Sequence, residues 1–223
     1  MQFAAIETST PWCSVALWRD GELASRERLA GHRHSELVLP MLQALLQASG
    51  VSMASLDAVA FGAGPGSFTG LRIACALAQG LALSRDLPVL GLSAFEALAE
   101  ESGGPRVAAC IDARMGEVYF AALQREDGKE AGRWREVVPA QCLAPQEVRV
   151  PPGQGWIGCG SGFAAYGELG FELALPAVHP TAAAIAALAA PRFAAGEGVD
   201  AALAAPAYLR EKVALTREEQ EAR

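Results

Sequence analysis

The chain opens on short apolar and alternating runs at Gln2–Ile6, Cys13–Trp18 and Glu22–Leu29. Runs of this length, bounded by turn residues, predict three strands, and Asp20-Gly21 predicts a tight hairpin between the second and third. The period then changes. Leu37, Val38, Met41, Leu42, Leu45 and Leu46 recur at helical spacing over 34–49, with His34 or Ser35 near the cap. That stripe is wide enough to touch two surfaces. A further strand over 57–61 runs into the alternate glycines Gly62, Gly64 and Gly66, and a helix is predicted over 68–83. Arg72 and Gln79 are nearly its only strongly polar residues. A helix apolar on all sides must be covered on all sides, and in a chain of 223 residues the second cover points to another protein. A strand over 88–92 and a helix opened by Ser93-x-x-Glu96, a capping-box pattern, complete the first half.

The second half restarts the pattern. A strand over 107–111 ends in Asp112, as the first ends in Glu7. A tight turn through Met115-Gly116 leads to a strand over 117–123, an Asp127-Gly128 turn and a third strand over 133–138. Trp156-Ile157 then runs into Gly158, Gly160 and Gly162, echoing the earlier glycines. Acid, Asp-Gly turn and alternate-glycine turn occur twice in the same order. The fold class expected is therefore α/β, with two lobes of βββαβα order resembling the actin-like ATPase (ribonuclease H-like) fold and a reduced second lobe. The expected division is 1–104, 105–214 and a frayed, charged tail over 215–223. Pro191 is expected to kink or end the last helix, 181–195.

Charge narrows the functional classes. The net charge is −7 and no Lys/Arg-rich stripe is present, so the chain alone is a poor candidate for gripping a phosphate backbone. No positive charge precedes Arg19 and no apolar run reaches membrane-spanning length, which argues for a cytoplasmic protein without a signal peptide. Five scattered cysteines without a CxxC pair read as free thiols.

Candidate chemistry is sparse. In a two-lobed ATPase an acid after the first strand holds a hydrated cation and the next turn binds phosphate, which makes Glu7, Thr8 and Ser9 candidates. Their turn has no glycine, and Pro11 and Trp12 follow, so an acid that merely caps the strand end competes with that reading. Gly64 and Gly66 are candidates for close approach of phosphate, but no Lys-Ser/Thr follows as in a Walker A loop, and tight strand–helix packing is an equal explanation. His32, His34 and His179 lack metal-ligand spacing, and His34 reads as a helix cap or surface contact. No catalytic or metal site is assigned.

Several strings carry a family resemblance: Ile6-Glu-Thr-Ser-Thr10, His34-Ser-x₄-Pro40, Gly64-Pro-Gly-Ser-Phe-Thr-Gly-Leu-Arg-Ile73, Ile111-Asp-Ala-Arg-Met-Gly-Glu-Val-Tyr119 and Pro206-x-Tyr-Leu-Arg210. They resemble the TsaB (YeaZ) family, and the match spans nearly the whole chain. Glu7 departs from the Asp usual there. The resemblance implies a non-catalytic subunit of the bacterial machinery that makes threonylcarbamoyladenosine (t6A) in tRNA. Its implied partners are TsaD, which performs the transfer, and the ATPase TsaE. It implies self-pairing when TsaD is absent, tRNA contact only through the complex, and no membrane partner. No cofactor is expected in the isolated chain, with ATP or ADP expected only in the complex. An actin-like ATPase or kinase, or a peptidase of the glycoprotease type, stays open as an alternative. The two apolar helices are the expected interface. Leu37, Met41 and Ala44 form the outer stripe of the first, and Thr69, Arg72, Ile73, Ala76 and Gly80 that of the second, with Arg72 meeting an acid on the partner.

Overall fold

The computed structural model describes residues 1–126 and 133–210. Strands β1 (Gln2–Glu7), β2 (Trp12–Arg19), β3 (Glu22–Leu29), β4 (Ala58–Gly64) and β5 (Val89–Ser93) form one sheet in the order β3-β2-β1-β4-β5. Strands β6 (Arg106–Arg114), β7 (Glu117–Arg125), β8 (Trp134–Leu143), β9 (Ile157–Cys159) and β10 (Leu173–Leu175) form a second in the order β8-β7-β6-β9-β10. In each sheet the first three strands of its lobe meander antiparallel, and the last two join parallel to the first. The repeated order is that of the two-lobed actin-like fold, and the repeat seen along the chain is thus present in the backbone. The second lobe is the smaller: β9 and β10 have three residues each.

Among the described residues five α-helices sort into layers. Helices α1 (His34–Ala48) and α2 (Phe68–Leu83) cover the outer face of the first sheet. Helices α3 (Ala94–Ser102) and α5 (Ala182–Ala194) lie between the two sheets, and α4 (Ser161–Tyr166) covers the far side of the second. Strand β1 explains the need for two covers: Phe3 to Glu7 are all buried, so its side chains meet apolar neighbours on both faces. Helix α5 comes from the second half of the chain yet packs on β1, β2 and β4. Position 104 therefore separates the sheets but not the cores, since Phe3, Leu92, Val107 and Ile185 share one cluster.

Four local expectations are corrected. Strand β4 does not stop at 61 but runs through Gly62 to Gly64, because β5 keeps pairing alongside it as far as Ser93. Pro191 does not end α5, which continues to Ala194; burial of Ile185, Leu188 and Phe193 outweighs the hydrogen bond the proline cannot make. The capping box at α3 is half formed. Ser93 Oγ accepts from Phe95 N at 3.2 Å, but Glu96 turns away to Arg192 Nη2 at 2.6 Å. His34 is neither cap nor surface contact: it is 6% exposed, with Nε2 2.8 Å from the Thr10 carbonyl, and Arg33 occupies the cap position. The Asp127-Gly128 turn and the tail lie outside the described residues.

Candidate functional site

The two lobes face each other across a cleft of about 620 Å³. From the first lobe it is lined by Ser9, Thr10 and the start of α2, and from the second by Ile111–Arg114, Tyr119 and Ser161. The turn after β1 sits at its floor. Glu7 is 1% exposed, and its Oε1 accepts from Ser9 N. Among the described residues its Oε2 has no hydrogen-bond partner. Burial pushes the Glu7 carboxyl up to about 7, against the opposing pull of Ser9 and of the His179 charge. An acid that closes its own turn is what the strand-end reading required.

The glycines are explained by the same turn. A Cβ on Gly62 would stand 1.7 Å from Glu7 Oε2, one on Gly66 would stand 2.6 Å from the Ser9 carbonyl, and one on Gly70 would stand 1.9 Å from the Thr8 carbonyl. Thr8 Oγ1 in turn donates to the Gly70 carbonyl at 2.7 Å. The first turn of α2 is thus seated on the backbone of Thr8 and Ser9. Three amides around the turn are engaged internally: Ser9 N by Glu7, Trp12 N by Thr10 Oγ1 at 3.2 Å, and Gly70 N by Ser67 Oγ at 3.3 Å. Gly64 has φ 126°, and the strand it ends receives a bond from Ala207 N to the Ala63 carbonyl at 2.8 Å. Among the described residues, no group of three or more His, Cys, Asp or Glu is placed to hold a metal ion.

The structure does not gather the remaining candidates into one patch: Leu37, Met41 and Ala44 of α1 line a groove with Arg26, Glu27 and Arg28 of β3, while the others lie along α2. Leu37, Met41, Ala44 and Ile73 are half-buried, whereas Thr69, Arg72, Ala76 and Gly80 are exposed. The opposite side of α2, through Leu71, Ala74, Cys75, Ala78 and Ala82, is buried on the sheet. Part of the second cover comes from the chain itself. A strap over 204–210 runs along α2 and crosses the mouth of the cleft. Its Ala204 carbonyl accepts from Gln79 Nε2 at 3.1 Å, and its Tyr208 hydroxyl accepts from Arg72 Nε at 2.9 Å. Arg210 then reaches the second lobe, pairing with Glu117 and contacting the Arg114 carbonyl at 3.4 Å. The strap was not foreseen. The signal was there in Arg72 and Gln79, two polar residues on an apolar helix that needed partners.

Known proteins now bear on this geometry. The TsaB protein of Escherichia coli strain K12, named a tRNA threonylcarbamoyladenosine biosynthesis protein, is 41% identical over 224 residues, covering 96% of each chain. The chain belongs to the TsaB family. The Haemophilus influenzae TsaB is 40% identical over 77% of this chain and 79% of its own. A solved structure of YeaZ from Pseudomonas aeruginosa superposes with TM-score 0.86 at 40% identity, covering 93% of this chain and 99% of that one. A family model described as TsaD, tRNA N6-adenosine threonylcarbamoyltransferase, matches residues 27–214. TsaB-family membership thus rests on near full-length matches and on a shared two-lobed backbone.

Proposed function

We propose that this chain is a non-catalytic subunit of the machinery that makes t6A in tRNA, and that it docks on a TsaD-type subunit through the outer face of α1 and α2. The observation that carries this reading is the contrast between that face and the cleft. On α2 the face presents Ile73, Ala76 and Gly80, small or apolar residues that let another helix approach closely, and α1 adds Leu37, Met41 and Ala44 beside β3. On the cleft floor Glu7 Oε1 holds Ser9 N and Thr10 Oγ1 holds Trp12 N, so these groups serve the turn itself. A four-helix contact of about 1,600 Å² is the size that a stable pair needs. The same face serves self-pairing when TsaD is absent, and a TsaE-type ATPase joins the pair.

ATP or ADP belongs to the assembled complex in this reading, supported by the internal bonds of Ser9 N and Gly70 N, and no step is assigned to a nucleotide in this chain. tRNA is met only through the assembled complex, which fits the chain's net charge of −7. Among the described residues no helix is long and apolar enough to cross a membrane. A cytoplasmic site of action follows from the proposed role.

The test is co-elution of the chain with the TsaD-type subunit of the same organism. Ala76→Glu should abolish it, because a charged side chain in place of a methyl holds the helices apart and also engages Arg72 one turn back, while the isolated variant keeps its melting temperature. Retained pairing would reject the interface. Steady ATP hydrolysis by the pure chain, lost in Glu7→Ala, would reject the non-catalytic role.

A further inference from the structure

The outer face of α2 carries one cation, and its side chain is held in a defined pose. The Arg72 guanidinium lies over the Phe68 ring, 3.7 Å from its centroid, and Nε donates to the Tyr208 hydroxyl. Phe68 and Tyr208 are 40% and 47% exposed, with ring centroids 5.4 Å apart. Two aromatic residues thus grip the base of the fork while the group stays at the surface. Among the described residues no carboxylate pairs with Arg72. The other arginines at the cleft mouth are different: Arg114 pairs with Asp112, and Arg210 with Glu117. Stacking and the Nε bond use one edge of the guanidinium. The terminal Nη1 and Nη2 edge is the one suited to a bidentate carboxylate.

We propose that Arg72 is a carboxylate-binding point for an Asp or Glu of the partner subunit, and that Tyr208, delivered by the C-terminal strap, is the residue that positions it. A free arginine on a surface loses rotamer freedom when it forms an ion pair, which is why most such pairs contribute little. Here that freedom is already spent within the chain, so a partner meets a fork fixed in advance. Because the strap is also tied to the second lobe through Arg210, a partner holding Arg72 holds both lobes in one relative placement. This inference rests on the α1/α2 face being the docking surface.

The experiment is a titration of the native TsaD-type subunit into wild type, Arg72→Ala, Arg72→Lys, Tyr208→Phe and the Arg72→Ala/Tyr208→Phe double variant, each at low and high salt. Arg72→Ala should weaken binding at least tenfold and flatten its salt dependence. Arg72→Lys should restore the salt dependence but not the affinity. Tyr208→Phe keeps the ring, removes only the hydroxyl and should weaken binding severalfold. In the double variant it should add nothing to Arg72→Ala, since a positioning residue has no effect once its target is gone. Unchanged affinity and salt slope in Arg72→Ala, with binding still abolished by Ala76→Glu, would overturn the inference and leave the interface standing. Additive losses in the double variant would overturn the positioning role of Tyr208. Binding that survives Ala76→Glu would instead overturn the interface reading.

Discussion

Glu7 ends β1, whereas β6 runs two residues past Asp112 to Arg114, so the two acids that correspond in the repeated pattern live in unlike surroundings. Glu7 is sealed beneath the turn it closes, with one oxygen unpartnered among the described residues and its carboxyl pushed up by burial. Asp112 is half-buried and shared. It accepts from Arg114 N at 2.9 Å and from Tyr166 Oη at 3.4 Å, and it pairs with Arg114 Nη1 at 3.1 Å. The difference follows from what each glycine turn leads into. In the first lobe a helix of 16 residues seats Gly70 on the turn after β1. In the second, a helix of 6 residues places Gly160 and Gly162 against Cys110 instead and meets Asp112 through side chains, Ser161 Oγ accepting from Asp112 N at 3.0 Å and Tyr166 donating to its carboxylate. One backbone order therefore supports two local solutions. In both, the glycines serve close packing of a helix on a strand.

The largest effect that would sharpen this contrast is expected at Gly70. In Gly70→Ala the new methyl would stand 1.9 Å from a backbone oxygen that has no rotamer to escape into. A loss on the order of 3 to 4 kcal/mol is expected in urea unfolding. An unchanged midpoint would show that the first-lobe turn is not seated as described.

Next in size is Glu7→Gln. The folded pKa of Glu7 lies above its unfolded value, near 7 against 4.5, so the folded state keeps its proton longer. Stability contributed by that proton is present below about 4.5 and lost as pH rises through about 7. The Gln variant imitates the protonated form and keeps an acceptor for Ser9 N. It should gain roughly 2 to 3 kcal/mol over wild type between pH 4 and pH 8. Parallel stability–pH curves for the two proteins would break the contrast, since they would make Glu7 as indifferent as a surface acid.

A smaller effect of opposite sign to the first is expected further along α2. A Cβ on Gly80 meets nothing within 4 Å, so Gly80→Ala should stabilise the chain by about 0.5 to 1 kcal/mol. If the small-residue contact is as proposed, the same variant should pair less well, a split that thermal melting and sedimentation would read separately. The smallest effect belongs to the second lobe. Asp112→Asn should change stability by no more than about 0.5 kcal/mol, because its partner Arg114 is 79% exposed. A loss comparable to that of Gly70→Ala would mean that the two lobes are built alike after all.

The architecture was legible where local pattern and tertiary demand agree. Glu22–Leu29 and Phe68–Leu83 fall as read, since alternation next to an Asp-Gly turn and an unbroken apolar helical run admit few alternatives. Legibility failed where a residue's partner lies far along the chain. Glu96 reads as half of a capping box and instead meets Arg192, 96 positions away. His34 reads as a cap and is drawn under the first lobe by the Thr10 carbonyl. The structure sets Glu7, Thr8 and Ser9 against Gly62, Gly66 and Gly70, a proximity that spacing alone did not show, nor could spacing say whether a glycine admits a ligand or a neighbouring backbone. The strap was invisible because 204–210 has neither helical nor strand period; only its contacts define it.

The placement of α5 between the sheets has a consequence for how the protein is made. Strands β1 to β5 are all translated by Ser93, but the helix that covers the inner side of β1, β2 and β4 ends at Ala194. At about 5 to 20 residues per second, the nascent first sheet waits roughly 5 to 20 seconds for that cover. During that interval Phe3, Ala5, Ala16, Ala58 and Ala60 lack the helix that packs over them in the finished protein. The strap over 204–210 follows later still and adds a second tie between lobes that α5 has already joined.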